Sequence, residues 1–256
     1  MRILLLVNNR VGWQICQYLK NLGENIVGAV IHPEPKRRFG NEILSSLELS
    51  PPKIFDGLKL ENSEVFQSIK KLNADIGISI LFDYVLKKDF INLFPKGIIN
   101  LHPSYLPFNR GQYPNVWTIV EETPSGVTLH YIDENVDTGD IIAQKEVPVK
   151  WTDTGETLYR RLELASVEIF KENWLLLKEN KVPRIRQQKN VGTHHCSDDV
   201  RTIDHLILDN QYRARDLINI IRARTFPPYK GAYFYINGEK IYLRIELLCE
   251  DELEDR

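Results

Sequence analysis

The chain has 256 residues, 43% of them hydrophobic and 27% charged, with 14 glycines and 13 prolines. This usage excludes a collagen, a low-complexity tail or a coiled coil as the whole answer, and it allows one large domain or a large domain with a small appendage. Lys+Arg 33 against Asp+Glu 35 leaves a net charge of −2, a poor balance for tracking a polyphosphate, so nucleic acid is not expected as a partner.

Met-Arg followed by the apolar run Ile3 to Val7 is too short for a signal-peptide core. No run approaches the ~18 apolar residues of a membrane span. A cytoplasmic protein without a membrane partner is expected. Arg2 to Val7 carries no alternation, as a strand buried on both faces does not. Val11, Ile15, Tyr18, Leu19 and Leu22 then recur at helical spacing, and Gly23 closes that helix. Ile26 to Ile31 is a second buried strand. A β-α-β opening of this kind requires a parallel sheet. Downstream, His32 to Arg38 reads as a loop, Glu64 to Leu72 as a helix, Asp75 to Leu81 as a strand and Ile98 to Leu101 as a short strand. Gly126 to Ile132 and Ile141 to Val147 alternate and pair around a turn at Asp137 to Asp140. Residues 156–178 form the clearest helix. Lys178 to Gly192, with five basic residues and Pro183, reads as a linker. A helix near Tyr212 to Arg224, a loop Thr225 to Gly231 and a hairpin follow. The hairpin strands are Ala232 to Ile236 and Lys240 to Leu247, joined at Asn237-Gly238, the strongest short hairpin signal. The last eight residues form an acidic, frayed tail.

Cys16, Cys196 and Cys249 are odd in number and far apart, so no disulfide framework or CxxC zinc pattern is expected. His194-His195-Cys196 reads as a polar loop, and no metal is expected there or elsewhere. There is no GxGxxG after the first strand and no Walker sequence, which lowers dinucleotide oxidoreductases and P-loop NTPases.

The informative stretch is Asn100-Leu101-His102-Pro103-Ser104-Tyr105-Leu106-Pro107. In an extended chain Asn100 and His102 share a face, and Pro103 ends the strand just beyond them. An Asn amide can donate to a developing oxyanion, and an imidazole can relay a proton at neutral pH. A carboxylate best orients the imidazole. Asp137, in the turn Val136 to Asp140, supplies one, and Gly139 lets that turn approach a ligand. Read by themselves, these residues are also ordinary turn formers.

Here the chain resembles the folate-dependent formyltransferases. The resemblance rests on NLHPSYLP and GVTLHYIDENVDTGDII, runs in order from residue 1 to about 178, and extends into Arg222 to Glu246. It implies a Rossmann-like, mostly parallel α/β sheet, a catalytic domain at 1–178, a linker at 179–200 and a small C-terminal α+β unit at 201–256. It also implies Asn100, His102 and Asp137 as catalytic residues and N10-formyltetrahydrofolate as the co-substrate. Leu81, Phe82, Tyr84, Val85, Gly139 and Asp140 are then expected near the folate; the first four, taken singly, read as core packing. The family mechanism has a neutral acceptor amine attack the formyl carbon, with Asn100 and His102 holding the tetrahedral species and His102, set by Asp137, moving the proton.

Three acceptors divide that family: a purine-pathway ribonucleotide, methionyl-tRNA and amino-sugar nucleotides. Residues 201–256 hold 9 Lys/Arg and 10 Asp/Glu, too few cations and too short a segment for a tRNA-binding barrel. NRGQYPNVW at 109–117 resembles the corresponding loop of the sugar-nucleotide N-formyltransferases, and RARTFPPYKGAYF at 222–234 resembles theirs too. The nearest likeness is to enzymes acting on dTDP-4-amino-4,6-dideoxyhexoses, as homodimers. The expected substrate contacts are Asn9, Arg110, Gly111, Tyr113, Asn115, Phe226 and Tyr229, with Arg110 as a phosphate fork and Phe226 and Tyr229 as faces for a base. The alternatives are a methionyl-tRNA formyltransferase-like enzyme and a non-catalytic folate or nucleotide binder.

Overall fold

The computed structural model describes residues 1–188 and 190–251, so most of the acidic tail and Lys189 lie outside the described residues. In chain order the elements begin with β1 (Arg2–Val7), α1 (Asn9–Asn21), β2 (Asn25–Ile31), α2 (Gly40–Leu47), β3 (Ile54–Asp56), α3 (Ser63–Lys71), β4 (Ile76–Ile80), α4 (Lys88–Ile91) and β5 (Ile98–His102). They continue with β6 (Arg110–Gly111), α5 (Pro114–Val120), β7 (Gly126–Tyr131), β8 (Ile141–Glu146), α6 (Gly155–Lys178), β9 (His194–His195), α7 (Val200–Asp204), α8 (Ala214–Ala223), β10 (Tyr233–Ile236) and β11 (Glu239–Tyr242).

Seven strands make one sheet in the order β3-β2-β1-β4-β5-β7-β8. The first five run parallel, and β7 lies antiparallel to β5. This is the Rossmann-like, mostly parallel sheet that the sequence resemblance implies. Every residue of β1 but Arg2 is buried, as it must be for a strand covered on both faces. Helix α1 buries Val11, Ile15, Cys16 and Leu19, and Gly12 lets it come close to Val7. It ends in a Schellman motif: Glu24 N–H donates to the Leu19 carbonyl at 3.0 Å, and Gly23 N–H to that of Lys20 at 2.9 Å. Gly23, at φ +68°, supplies the left-handed residue this motif needs. Asn62 caps α3, its side-chain oxygen accepting from Glu64 and Val65 N–H.

After β1 the chain moves outward to β2 and β3, then returns to lay β4 on the other flank of β1. Asn8 and Leu81 follow β1 and β4 at this reversal, the place in an open α/β sheet where ligands gather.

The described chain forms two units. One holds Met1–His102, Thr128–Gln144 and Ser166–Gln188, and the other holds Pro103–Val127, Lys145–Ala165 and the chain beyond residue 188. In the first, Trp174 and Phe170 stack as the largest fully buried side chains. In the second, β10 and β11 form the expected hairpin, with Asn237 and Gly238 both at positive φ, as a two-residue type I′ turn demands.

Three expectations need correction. The second hairpin strand stops at Tyr242 rather than Leu247. Its partner ends at Tyr233; the Leu243 N–H still meets the Ala232 carbonyl in register, but the Ile245 N–H turns away to the Thr225 hydroxyl. Residues 114–117, within the stretch 109–117 likened to a loop, open a helix that runs to Val120, with Pro114 pre-set for the first turn. His194 and His195 are not a free polar loop: they pair in parallel with Arg110 and Gly111, and His195 stacks on Trp117 with ring centroids 4.0 Å apart.

Candidate active site

Asn100 and His102 lie two residues apart at the carboxyl end of β5, which stops before Pro103. Antiparallel pairing with β7 sets Asn100 opposite His130 and His102 opposite Thr128. Asp137 comes from the loop between β7 and β8 and holds φ +53°, a left-handed conformation that costs a non-glycine residue roughly 1–2 kcal/mol.

These groups converge. His102 Nδ1 lies 3.5 Å from Asp137 Oδ2, and His130 Nε2 lies 3.5 Å from Asp137 Oδ1. Asn100 Nδ2 donates to Asp137 Oδ1 at 3.4 Å and sits 3.2 Å from His130 Nε2. His102 is 6% exposed, so its ring is held largely out of water.

The proton positions follow from the partners. His130 Nδ1 is 2.8 Å from the Tyr131 carbonyl, which only accepts, so that nitrogen carries the hydrogen. In the neutral ring Nε2 is then an acceptor, and it takes an N–H of Asn100. His130 thereby fixes which end of the Asn100 amide faces it. His102 turns Nδ1 to a carboxylate, which favours the Nδ1–H tautomer and leaves the Nε2 lone pair as the proton acceptor. Asp137 stands 3.4–3.5 Å from three groups, at the long end of hydrogen-bond distances, as catalytic contacts often do before the substrate tightens them. The arrangement can polarise a carbonyl oxygen and accept a proton beside it.

Two members of this cluster are invisible to motif reading. His130 sits inside an ordinary alternating strand, and only the cross-strand register places it against Asn100. Gln187 falls in the stretch read as a linker. Its amide donates to the carbonyls of Asp137 at 2.9 Å and Gly139 at 2.8 Å. Gly139 itself is needed for packing, because a Cβ there would run into the Tyr131 carbonyl oxygen.

The residues expected near the folate follow β4 or lie in this loop. Leu81 holds φ +50°. Phe82 and Tyr84 pack around the fully buried His32, with ring centroids at 5.2 and 4.8 Å. Val85 is 73% exposed and helps line a cavity of about 290 Å3 with Leu60, Phe66 and Phe90. The Tyr84 hydroxyl is buried without a hydrogen-bond partner among the described residues. Asp140 accepts from Tyr131 N–H through its backbone.

His32 is in a bind. Asp83 N–H donates to its Nε2 at 3.3 Å, while the Asn8 amide nitrogen, oriented by the Lys36 carbonyl and Arg38 N–H, faces Nδ1 at 3.1 Å. Two donors facing one ring disfavour a further proton. Burial pushes the imidazole below its ordinary value, helped by Lys36 and opposed by Asp83 and Asp56.

Asn9, at φ +67°, donates its N–H to the Arg38 carbonyl and accepts from Arg10 N–H through its side chain. The other expected substrate contacts belong to the second unit. Arg110 and Gly111 form β6, with Gly111 at φ +87°, and Tyr113 caps α5 from a left-handed conformation. Asn115 is buried, and its amide donates to the Gly155 carbonyl at 2.9 Å. Phe226 packs between Tyr159 and Tyr229, while Tyr229 is 57% exposed. Among the described residues no cluster of three His, Cys, Asp or Glu is placed to hold a metal ion.

The formyl transferase profile matches residues 6–173, a span that contains Asn100, His102, His130 and Asp137. The chain belongs to the formyl transferase family, whose members are formyl-transferring enzymes. Residues 199–248 match the N-formyltransferase dimerization C-terminal domain. Among solved structures, the chain is similar to a 4-N formyltransferase from Francisella tularensis, with 27% identity, TM-score 0.82, and 97% and 98% of the two chains covered. It is also similar to the formyltransferase PseJ from Anoxybacillus kamchatkensis, solved with UDP-4,6-dideoxy-4-formamido-L-AltNAc and tetrahydrofolate. There the identity is 31%, the TM-score 0.60, and coverage 79% and 89%. A methionyl-tRNA formyltransferase from Geotalea uraniireducens is 27% identical over 94% of this chain and 78% of its own length. The chain spans from 37% to 78% of the length of the first three curated relatives it matches. Among the described residues no helix is long and apolar enough to cross a membrane.

Proposed function

We propose that this chain moves a formyl group from N10-formyltetrahydrofolate to the 4-amine of a nucleotide-linked amino-dideoxy sugar, with dTDP-4-amino-4,6-dideoxyhexose as the acceptor expected from its sequence. The observation that carries the reading is the convergence of Asn100, His102 and Asp137 at the end of β5. Both solved relatives described above are named for 4-N formylation or hold a 4-formamido sugar nucleotide.

The folate supplies an activated formyl group. The loop after β4 suits a flat heteroaromatic ligand, because it offers the exposed apolar Val85 beside a cavity lined by Leu60, Phe66 and Phe90. At the reacting carbonyl Asn100 donates an N–H to the oxygen, giving up its long contact to Asp137. His102 accepts the proton of the attacking amine at Nε2, Asp137 opposite Nδ1 favours the resulting imidazolium, and the imidazolium returns the proton to N10 as the bond from N10 to the formyl carbon breaks and tetrahydrofolate leaves. Tyr229, in the C-terminal residues, offers a face to the base, and Arg110, in β6, a fork to the diphosphate. The match to a dimerization domain supports a homodimer.

The methionyl-tRNA relative keeps a second reading in view, against the acidic balance of residues 201–256. The test is one incubation series with the formyl donor and, in turn, dTDP- and UDP-linked 4-amino-4,6-dideoxyhexoses, a 3-amino isomer and methionyl-tRNA. Mass spectrometry of the acceptor should find one added formyl group on a 4-amino sugar nucleotide. Formylation of methionyl-tRNA alone would overturn the sugar reading, and no formylated acceptor in any arm would overturn transferase activity.

A further inference from the structure

Asp137 carries its carboxylate on a backbone in the left-handed region, in a loop that runs from the end of β7 to the start of β8. Something must hold that loop at the distance where the carboxylate meets His102. Within the loop, the Thr138 hydroxyl donates to Asp133 Oδ1 at 2.7 Å, and Tyr131 N–H donates to the Asp140 carbonyl at 2.9 Å. These ties shape the loop without reaching beyond it.

From outside the loop, Lys88 pairs with Glu134 at 2.5 Å on its exposed rim, while the backbone of Asp137 itself is met by Gln187, fifty residues further along the chain and 8% exposed. A Gln amide has two N–H donors, and here Nε2 reaches two carbonyls, those of Asp137 and Gly139. Gly139 is buried, so water is a poor substitute for that donor. The anchor is itself anchored. Ile185 and Ile141 exchange both backbone hydrogen bonds, at 2.8 and 2.9 Å, at the start of β8. The Arg184 guanidinium lies 3.7 Å over the Tyr131 ring, at the end of β7. Gln187 therefore spans from a fixed point on the sheet to the backbone of the residue that orients the imidazole.

We infer that Gln187 is a positioning residue for formyl transfer: it clamps the Asp137 loop so that the Asp137 carboxylate faces His102, and it touches no reacting atom. This rests on the proposed function for its effect on rate, but not for its effect on the His102 imidazole.

The test compares wild type, Gln187→Met, Gln187→Asn, Asp137→Asn and the double variant Gln187→Met/Asp137→Asn, by steady-state kinetics and by NMR titration of the His102 ring. Gln187→Met keeps length and burial but removes both donors; Gln187→Asn keeps the donors one methylene short. Each should lose kcat roughly ten-fold, with KM for donor and acceptor within about two-fold. In the double variant the Gln187 substitution should add nothing to the loss from Asp137→Asn, because both act through one carboxylate. With the carboxylate displaced, the His102 ring should titrate lower in Gln187→Met, in the direction of its Asp137→Asn value. Wild-type kcat in Gln187→Met, a loss that multiplies onto that of Asp137→Asn, or a His102 titration unmoved from wild type would each overturn the inference. So would failure of both Gln187 variants to fold, which would mark a folding residue instead. If wild type formylates no acceptor, the functional reading fails while the His102 titration still decides the clamp.

Discussion

The end of β5 and the aromatic loop Thr225–Tyr229 handle their side chains in opposite ways. At β5, Asn100, His102 and His130 each come within 3.5 Å of the Asp137 carboxylate, and the ring of His130 and the backbone of Asp137 are fixed by further bonds. In the loop, Phe226 and Tyr229 meet edge to face and Tyr229 leaves most of its ring to solvent. A site whose parts are already set puts its energy into the transition state, whereas exposed aromatic faces can only add to binding. Damage to the first should appear as lost rate and damage to the second as lost affinity.

The largest effect should come from His102→Ala, a fall of ~10²–10⁴ in turnover, with Asn100→Ala close behind at ~10²–10³. Both proteins should melt near wild type and still bind folate by calorimetry. Near-normal turnover in folded His102→Ala would erase the contrast on this side. Next, Tyr229→Ala should raise the acceptor KM by roughly ten-fold or more while kcat and melting temperature hold, since stacking of a base is worth ~1–3 kcal/mol. Phe226→Ala should also lower the melting temperature, because Phe226 packs on Tyr159 as well. An unchanged acceptor KM in Tyr229→Ala would make the loop mere packing. The smallest effect concerns His32. Its folded imidazole binds a proton less readily than the unfolded one, so the unfolded state gains protons as pH falls below the ordinary histidine value of 6.5. Stability at pH 5 relative to pH 8 should therefore drop more in wild type than in His32→Gln, measured by denaturant melts. Equal drops would show that His32 does not resist protonation.

Much of this was legible in the sequence where the signal is local. Arg2 to Val7 and Ile26 to Ile31 read as buried strands because they lack alternation, and Asn237-Gly238 reads as a turn because few other pairs accept two positive φ angles. Asn100 and His102 read together because a strand repeats every second residue. His130 did not, because its role depends on which residue of β5 it faces, and register is not written in either strand alone. Gln187 did not, because its partners are backbone carbonyls far away in the chain, and backbone carries no sequence signal. Asn115 illustrates the reverse: its place in a familiar motif points to substrate, while its amide is engaged with the Gly155 carbonyl on the next part of the second unit.

Arg222 carries a consequence for how the chain could be cut or assembled. It is buried, and its guanidinium donates to the carbonyls of Lys150, Trp151 and Asp153 and to the Asn219 side chain. Those carbonyls are made some seventy residues before the arginine leaves the ribosome. The stretch 150–153 must therefore wait, its carbonyls answered by water, until α8 is complete. A fragment ending near residue 200 would keep every strand of the large sheet and the Arg161–Asp153 ion pair, yet leave the carbonyls of 150, 151 and 153 without the Arg222 guanidinium. The C-terminal segment is thus a late-arriving keystone for an earlier part of its own unit, and shuffling or splitting the gene at that point would have to supply a substitute for one guanidinium.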